Sequence, residues 1–344
     1  MHIPSPKAMQ SSFPAQEETL SCIAEHREQI RNLIKGKDSR LAIIVGPCSL
    51  HDKDSALEYA LKLQELQKQV EETCLLIMRA HIEKPRTCIG WKGMLHDPFL
   101  SGQDNLAEGL FVCREMLLQL ADTKVPLACE FLDPIASSYF KDLISWGFIG
   151  ARTSTSQTHR QLASSLPMPV GCKNGIDGNI ESVIQSALAA RHPHSFLHID
   201  EEGRVCAMKS LGNRASHIVL RGSDLKPNYD HESVLFATRL CEELCLDSRI
   251  LIDCSHGNSQ KDLVKQIDVF SSVFRQYKQG NHHILGVMLE SHLKEGHQSF
   301  SSSICPSTSL TDPCLGWSKT EDLLLSVHEE LSSSSSSMIS FVHS

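Results

Sequence analysis

The chain alternates between short apolar runs and longer amphipathic stretches. Eight apolar runs show no alternation with polar residues: Leu41–Val45, Leu75–Met78, Pro126–Cys129, Phe148–Ala151, Pro169–Cys172, Ile218–Leu220, Ile250–Ile252 and Leu285–Leu289. The first run ends at Gly46-Pro47, and each of the others ends at a polar or charged residue. Unbroken apolar runs of this length are typical of strands that are buried on both faces of a parallel sheet. The pattern therefore predicts eight buried parallel strands.

Amphipathic periodicity fills most of the intervals between these runs. It predicts helices over Ser55–Glu71, Asn105–Ala121, Ser154–Ser165, Ile180–Arg191, Glu232–Cys245 and Gln260–Tyr277. Eight strand-then-helix units indicate an α/β protein with a single (β/α)8 barrel, a TIM barrel, over residues 41–330.

Three segments fall outside the repeating units. Residues 1–40 form an N-terminal extension, predicted as an irregular arm over 1–16 and a helix over Glu17–Lys35 that ends before Gly36. Phe196–Ile199 and Val205–Met208 flank a turn and predict a β-hairpin at about 195–210, inserted before strand 6 of the barrel. Residues 331–344 form a serine-rich tail that is predicted to be flexible.

Composition narrows the possible classes of protein. The chain has 344 residues, 41% hydrophobic and 22% charged, with a formal net charge of −8, which argues against nucleic-acid binding through the overall field. No apolar run approaches the roughly 18 residues that span a bilayer, and the opening residues lack the layout of a secretory signal. The 13 cysteines include no C-x-x-C pair, which favours free thiols. We expect a cytoplasmic protein that binds neither nucleic acid nor membranes.

Positively charged residues follow four of the predicted strands. They are Arg79, Lys84, Arg86, Arg152, Lys173 and Arg221. Functional side chains of such barrels lie at the carboxyl ends of the strands, so these cations should meet at one rim. A single arginine there would most simply form a surface ion pair, but six together need an anion to offset their repulsion. Because arginine and lysine bind phosphate and carboxylate, the set favours a substrate that carries both groups.

A second group of residues has the chemistry of a metal site. Cys48 follows strand 1, His256 follows strand 7, Glu290 ends strand 8 and Asp312 lies beyond it. A thiolate, an imidazole and two carboxylates suit one divalent ion such as Mn, Fe, Co or Zn. No local spacing motif supports this site, and a buried cysteine that only fills the core remains an alternative.

Several longer motifs occur along the chain: Ile44–Ser49, Glu83–Thr87, Gly90–Gly93, Gly150–Thr153, Gly171–Gly175, Leu220–Gly222, Asp253–His256, Glu290–Leu293 and Thr311–Asp312. Together they resemble one enzyme family, the type I 3-deoxy-D-arabino-heptulosonate 7-phosphate (DAHP) synthases of the feedback-regulated bacterial branch. The resemblance extends over roughly residues 3–330, and the motifs follow in the family's order.

This resemblance implies an activity. The family condenses phosphoenolpyruvate with erythrose 4-phosphate, the first step of the shikimate pathway to aromatic amino acids. It implies a homo-oligomer, a dimer or tetramer, and one divalent metal ion held by Cys48, His256, Glu290 and Asp312.

The resemblance also assigns the substrate residues. Those for phosphoenolpyruvate are Arg79, Lys84, Glu130, Ala151, Arg152, Lys173 and Arg221. Among them, Arg152, Lys173 and Arg221 match the phosphate site, and Arg79 and Lys84 match the carboxylate side. Those for erythrose 4-phosphate are Lys84, Pro85, Arg86 and Thr87. The catalytic set is Lys84, Cys48 and His256, with Lys84 as a proton donor.

Two alternative functions remain open. A sister family, the 3-deoxy-manno-octulosonate 8-phosphate synthases, carries a different loop where this chain has Lys84-Pro85-Arg86-Thr87. A catalytically silent regulatory barrel would be expected to lose ligands, yet every candidate ligand is present.

The chain departs from the regulated pattern outside the catalytic motifs. The arm before Pro4 is short, and the family's effector pocket has other residues at Pro134, Ser137, Ser138 and Pro167. We expect weak or absent inhibition by aromatic amino acids.

Overall fold

The fold is described by a computed structural model that covers residues 3–86, 89–301 and 303–341, with side chains through residue 333. Thr87, predicted at the erythrose 4-phosphate site, lies outside the described residues. The strands are β1 (Leu41–Gly46), β2 (Cys74–Arg79), β3 (Leu127–Glu130), β4 (Trp146–Ile149), β5 (Val170–Lys173), β6 (Ser195–Ile199), β7 (Val205–Lys209), β8 (Ser216–Leu220), β9 (Ile250–Asp253), β10 (Ile284–His292) and β11 (Leu315–Gly316).

Helices occupy the segments between the strands and both ends of the chain. They are α1 (Pro6–Ser12), α2 (Glu17–Ile34), α3 (Lys53–Val70), α4 (Leu106–Asp122), α5 (Ser137–Phe140), α6 (Gln157–Ser165), α7 (Ile180–Arg191), α8 (His231–Glu243), α9 (His256–Ser259), α10 (Leu263–Lys278) and α11 (Trp317–Phe341). Among the described residues, every helix is too short or too polar to cross a membrane.

Eight of the strands form a closed parallel barrel, in the order β1-β2-β3-β4-β5-β8-β9-β10. The barrel closes where β10 pairs with β1, with Ala42 opposite Gly286 and Gly46 opposite Glu290. β6 and β7 form a separate antiparallel hairpin between α7 and β8. The predictions of a TIM barrel and of a hairpin before its sixth strand are confirmed.

Each barrel strand is buried on both faces because its side chains enter two different cores. In β1, Ala42 and Ile44 belong to the cluster inside the barrel, whereas Ile43 and Val45 belong to the cluster under the helices. Ile30, Leu33 and Ile34 at the end of α2 join the inner cluster. The end of α2 therefore packs against the inner core of the barrel. The carboxyl end of the barrel is left to form a site.

The prediction of an irregular arm over residues 1–16 is wrong for residues 6–12, because these residues form α1. The hydroxyl of Ser5 accepts a hydrogen bond from the Ala8 N–H at 3.2 Å, and Pro6 occupies the first helical turn. Serine at the cap with proline after it is a known start signal for a helix. The side chain of Met9 is fully buried.

Two further boundaries differ from the prediction. β4 lies at Trp146–Ile149, two residues before the predicted run, because Trp146 packs inside the barrel against Phe148 and Ala151 falls in the following turn. α11, a helix not predicted from the sequence, runs from Trp317 to Phe341. It continues through residues 331–341 of the predicted tail.

Candidate active site at the carboxyl end of the barrel

The carboxyl ends of the barrel strands surround one cavity of about 220 Å³. Its lining residues are Arg79, His81, Glu83, Lys84, Pro85, Arg86, Glu130, Ala151, Arg152, Lys173, Arg221, His256, Lys261 and Asp312. All six cations singled out in the sequence are present, together with Glu130, Pro85 and Ala151. Residues from loops that are far apart in sequence therefore share one polar cavity.

Three of the four predicted metal ligands lie together at this cavity. One ligand atom each from Cys48, Glu290 and Asp312 falls within 4.8 Å of the other two, and the Cys48 Sγ is 3.6 Å from the Asp312 Oδ2. The His256 Nε2 lies 3.6 Å from the Glu290 Oε1 but outside the 4.8 Å group. The structure thus brings three of the ligands together and leaves His256 beside one of them.

The turn after β1 explains how Cys48 reaches the cavity. Gly46 has φ +150°, and a Cβ there would lie 3.1 Å from the backbone nitrogen of Arg79, so this close approach favours glycine. The Arg79 guanidinium donates to the Pro47 carbonyl at 3.3 Å and to Glu290 at 3.1 Å. Arg79 therefore holds the Cys48 turn against the end of β10.

His256 is oriented by a buried carboxylate. Its Nδ1 lies 3.0 Å from the Asp253 Oδ2 and 2.7 Å from the Ser255 hydroxyl, and Lys173 donates to the same Asp253 oxygen at 2.8 Å. Burial alone would raise the pKa of Asp253, but Lys173 and His256 hold it well below the usual range. The negative Asp253 accepts a hydrogen bond from the Nδ1–H, so a neutral ring in this orientation would present its Nε2 lone pair on the Glu290 side.

The Lys84 ammonium lies between two candidate ligands. Its Nζ is 2.7 Å from the Cys48 Sγ and 3.1 Å from the Asp312 Oδ2. Burial would lower the pKa of Lys84, but the Cys48 sulfur and the negative charges of Asp312 and Glu290 raise it above the usual value. Lys84 is therefore positively charged throughout the physiological range.

The donors fit a divalent cation. Asp312 also accepts a hydrogen bond from Lys261 at 2.8 Å, and its pKa is lowered by Lys84, His256 and Lys261 despite partial burial. Burial and Glu290 raise the pKa of the Cys48 thiol to about 12. Since a bound cation would stabilise the thiolate, one soft and two hard anionic donors would be available to a transition metal.

Sequence reasoning did not single out His81, Glu83, Asp253 or Lys261 as site residues. Glu83 and Asp253 are the first residues of the motifs Glu83–Thr87 and Asp253–His256, and His81 lies two residues after Arg79. Their positions at or just after strand ends were therefore the signal that could have identified them. Several buried polar atoms lack a partner among the described residues, among them Arg79 Nη1, His81 Nε2 and Glu130 Oε1. Unpaired buried polar groups in a cavity are suited to a polar ligand.

Gly150 makes room for the carboxylate of Glu130. A Cβ at position 150 would lie 2.0 Å from the Glu130 Oε1, so a larger residue there would displace this carboxylate. The motif Gly150–Thr153 therefore positions Glu130 as well as Arg152.

Comparison with known proteins identifies relatives over nearly the whole chain. The model of the DAHP synthetase I family matches residues 13–325. The Tyr-sensitive phospho-2-dehydro-3-deoxyheptonate aldolase of Escherichia coli K12 is 42% identical over 330 residues, 95% of this chain and 92% of the relative. A putative phospho-2-dehydro-3-deoxyheptonate aldolase of Schizosaccharomyces pombe is 44% identical over 320 residues, 92% of this chain and 87% of the relative. The solved phospho-2-dehydro-3-deoxyheptonate aldolase from Francisella tularensis superposes with a TM-score of 0.93 at 38% identity and covers 96% of both chains.

Proposed function

Because the chain belongs to the DAHP synthetase I family, it is a DAHP synthase, a transferase, and we propose that its reaction takes place in the cavity at the carboxyl end of the barrel. The observation that carries this proposal is the convergence of six cations and a thiol-carboxylate cluster on that cavity. Phosphoenolpyruvate and erythrose 4-phosphate are both anionic, so holding them side by side requires fixed positive charge.

Phosphoenolpyruvate occupies the deeper part of the cavity in this proposal. Arg152, Lys173 and Arg221 bind its phosphate, and Arg79 and Lys84 face its carboxylate and reacting carbons. Burial of Lys173 and Arg221, 3% and 6% exposed, favours strong interactions with an anion because water screens them little. Ala151 contributes the backbone that precedes Arg152, and Glu130 offers an unpaired carboxylate oxygen to the water that adds to carbon 2.

Erythrose 4-phosphate binds nearer to the rim. Arg86 is exposed at the cavity and suits the distal phosphate, while Pro85 limits the freedom of the loop that carries it. Thr87, next along this loop, completes the proposed phosphate site. Lys84, immediately before Pro85, lies where the two substrates meet.

The family is metal-dependent, and the candidate ligands here are Cys48, His256, Glu290 and Asp312. We propose one divalent ion of the Mn, Fe, Co or Zn class, because the mixture of sulfur, nitrogen and carboxylate donors suits these ions. When bound, this ion supplies a Lewis acid that polarises the aldehyde oxygen of erythrose 4-phosphate.

The protein's own groups account for the remaining steps. Carbon 3 of phosphoenolpyruvate forms a bond to the aldehyde carbon, and the Lys84 ammonium donates a proton to the aldehyde oxygen. Water then adds at carbon 2 and gives one proton back to Lys84. The proton of the resulting hydroxyl passes to the departing phosphate as the carbon–oxygen bond to phosphate breaks, which leaves a ketone at carbon 2. This sequence yields 3-deoxy-D-arabino-heptulosonate 7-phosphate and inorganic phosphate. The charged state of Lys84, which its anionic neighbours favour, suits a proton donor.

The choice of sugar phosphate tests this function against the sister family. We expect phosphoenolpyruvate consumption with erythrose 4-phosphate to exceed that with arabinose 5-phosphate by at least about a hundredfold. The physical reason is the loop Lys84–Thr87, which this proposal assigns to the phosphate of the four-carbon sugar. Comparable rates with the five-carbon sugar would contradict the proposal, and no consumption with either would favour a silent barrel.

We also propose that aromatic amino acids inhibit the enzyme weakly or not at all. The Ser137 hydroxyl donates to the Pro134 carbonyl at 2.6 Å, and the Ser138 hydroxyl lies 3.0 Å from the His198 Nε2. Both serines are almost fully buried, so these polar groups are already engaged within the chain. The test concentration is about 100 µM, on the order of ordinary metabolite levels. With Phe, Tyr or Trp at this concentration, the initial rate should stay within about 20% of the rate without the amino acid.

The Tyr-sensitive relative from Escherichia coli, assayed in parallel, is the control for this measurement. Inhibition of the present enzyme by more than half at the same concentration would contradict the proposal.

The hairpin supports the proposal of a homo-oligomer, a dimer or tetramer. Leu197 and Val205 are 80% and 77% exposed, and Leu197 pairs with Ala207 across the two strands, so one face of the hairpin is apolar. Sedimentation of the full chain tests this assembly, and a monomer at micromolar concentration would contradict it.

A cytoplasmic location is likewise proposed, because the described cysteines are free thiols, and fractionation of cells would test it.

A further inference from the structure

His81 is a buried histidine of the cavity to which the reaction above assigns no role. It follows β2, is 4% exposed and contributes to the cavity lining. Its Nδ1 accepts a hydrogen bond from the backbone N–H of Glu130 at 3.0 Å. Its Nε2 is buried and has no partner among the described residues.

These contacts determine where the ring carries its proton. A neutral imidazole has one donor nitrogen and one acceptor nitrogen. Since Nδ1 accepts from the Glu130 backbone, the proton lies on Nε2, the nitrogen without a partner. In this tautomer the Nε2 cannot bind a metal ion, and it can only donate.

The charges around the ring keep it neutral. Burial lowers the pKa of His81 well below its usual value, and the positive charges of Arg79, Lys173 and Lys84 lower it further. The cations that act on the ring include Arg79 and Lys84, which are assigned to the carboxylate side of phosphoenolpyruvate. The Nε2–H of His81 is a buried donor without a partner among the described residues, and the nearby cations favour an anionic acceptor for its hydrogen bond.

We propose that His81 is a substrate-binding residue whose Nε2–H donates a hydrogen bond to the carboxylate of phosphoenolpyruvate. The proposal deepens the function proposed above and rests on it. His81 also links this contact to the backbone of Glu130, so one ring connects the loop after β2 to the last residue of β3. A hydrogen bond to a charged acceptor contributes about 1.5–3 kcal/mol, which corresponds to roughly 10- to 100-fold in affinity.

Two isosteric substitutions separate the two nitrogens of the ring. The asparagine oxygen of His81→Asn can replace Nδ1 as the acceptor for the Glu130 N–H, but this variant lacks a donor at the position of Nε2. The amide nitrogen of His81→Gln can replace the Nε2–H donor. A purely structural role, carried by the Glu130 bond, would be preserved in His81→Asn, whereas substrate binding would not.

The experiment measures binding of phosphoenolpyruvate alone to the metal-loaded enzyme by titration calorimetry. We expect a dissociation constant about 10- to 100-fold higher in His81→Asn and a substantial recovery in His81→Gln. The affinity for ethyl phosphate, which lacks the carboxylate, should be unchanged in both variants. The KM for erythrose 4-phosphate should stay within about twofold, because that substrate does not contact this nitrogen.

Each contrary result is distinguishable from a failure of the proposed function. Wild-type turnover with erythrose 4-phosphate tests the function itself, independently of His81. Unchanged phosphoenolpyruvate binding in His81→Asn would overturn the inference. An equal loss of ethyl phosphate binding would overturn the assignment to the carboxylate, and an equal loss in both variants would indicate that the ring only supports the loop. Circular dichroism of each variant checks that the fold is retained.

Discussion

Replacing Lys84 with alanine is expected to lower kcat by about a thousandfold or more while the barrel stays folded. General acid catalysis contributes about 100- to 10,000-fold, and Lys84 also offsets negative charge at the junction of the two substrates. The substitution removes a cation that lies 2.7 Å from the Cys48 Sγ and 3.1 Å from the Asp312 Oδ2. Initial rates of phosphoenolpyruvate consumption, with circular dichroism of the same samples, provide the measurement.

Lys68→Ala is the matched control for this prediction. Lys68 is an exposed lysine of α3 that pairs with Glu65 one helical turn away, and its removal should leave the rate unchanged. The metal content of Lys84→Ala should also be retained, because the lysine competes with a bound cation for Cys48 and Asp312. Near-native turnover in a folded Lys84→Ala enzyme would refute the role of this residue as the proton donor.

Removal of the divalent ion is expected to abolish turnover, and manganese should restore it. The aldehyde oxygen of erythrose 4-phosphate would lose its Lewis acid, and the buried anionic cluster would lose its counter-charge. The enzyme would be treated with a chelator, transferred to metal-free buffer and assayed before and after addition of manganese. We expect a loss of at least about a hundredfold and recovery to more than half of the starting rate.

Two cysteine variants show whether the effect comes from the proposed site. Cys48→Ala should prevent manganese from restoring activity, because a ligand is missing. Cys241→Ala, at a similarly buried cysteine of α8 outside the cavity, should be restored like the wild type. Since burial and Glu290 raise the pKa of the Cys48 thiol to about 12 and the metal binds the thiolate, manganese affinity should increase with pH. Full activity after verified removal of metal would contradict the account.

Much of the barrel was predictable because its signal is local and repeated. In β1, Ala42 and Ile44 point to the inner core while Ile43 and Val45 point to the helices, and this double burial produces an unbroken apolar run. The same physics explains the misplacement of β4: its apolar character does not stop at the strand end, so the run alone could not fix the boundary. The helix α1 was missed because its signal is a cap, Ser5-Pro6, rather than a periodicity.

Site residues were predictable from the sequence only where they follow a strand or belong to a family motif. Lys84, Arg79 and Lys173 could be proposed from their position after a strand. The role of Asp253 in orienting His256 depends on a 3.0 Å contact between side chains, which no spacing rule supplies. His81 differs again, because its significance is an unpaired nitrogen that is visible only when the surrounding atoms are in place.

The relative positions of the candidate metal ligands also go beyond what sequence can specify. Cys48, Glu290 and Asp312 come from three separate loops or strand ends, yet their ligand atoms fall within 4.8 Å of one another. The His256 Nε2 lies 3.6 Å from the Glu290 Oε1, and His256 is not part of this group. Its φ of +54° lies in the left-handed region, so the position of this ring is set by a constrained turn that the residue type alone does not specify.

The most direct test of the account is an anomalous scattering measurement on crystals of the enzyme loaded with manganese. The account predicts one peak per chain, in contact with the Cys48 thiolate, the His256 Nε2 and the carboxylates of Glu290 and Asp312. Manganese located elsewhere, with these side chains left uncoordinated, would contradict it.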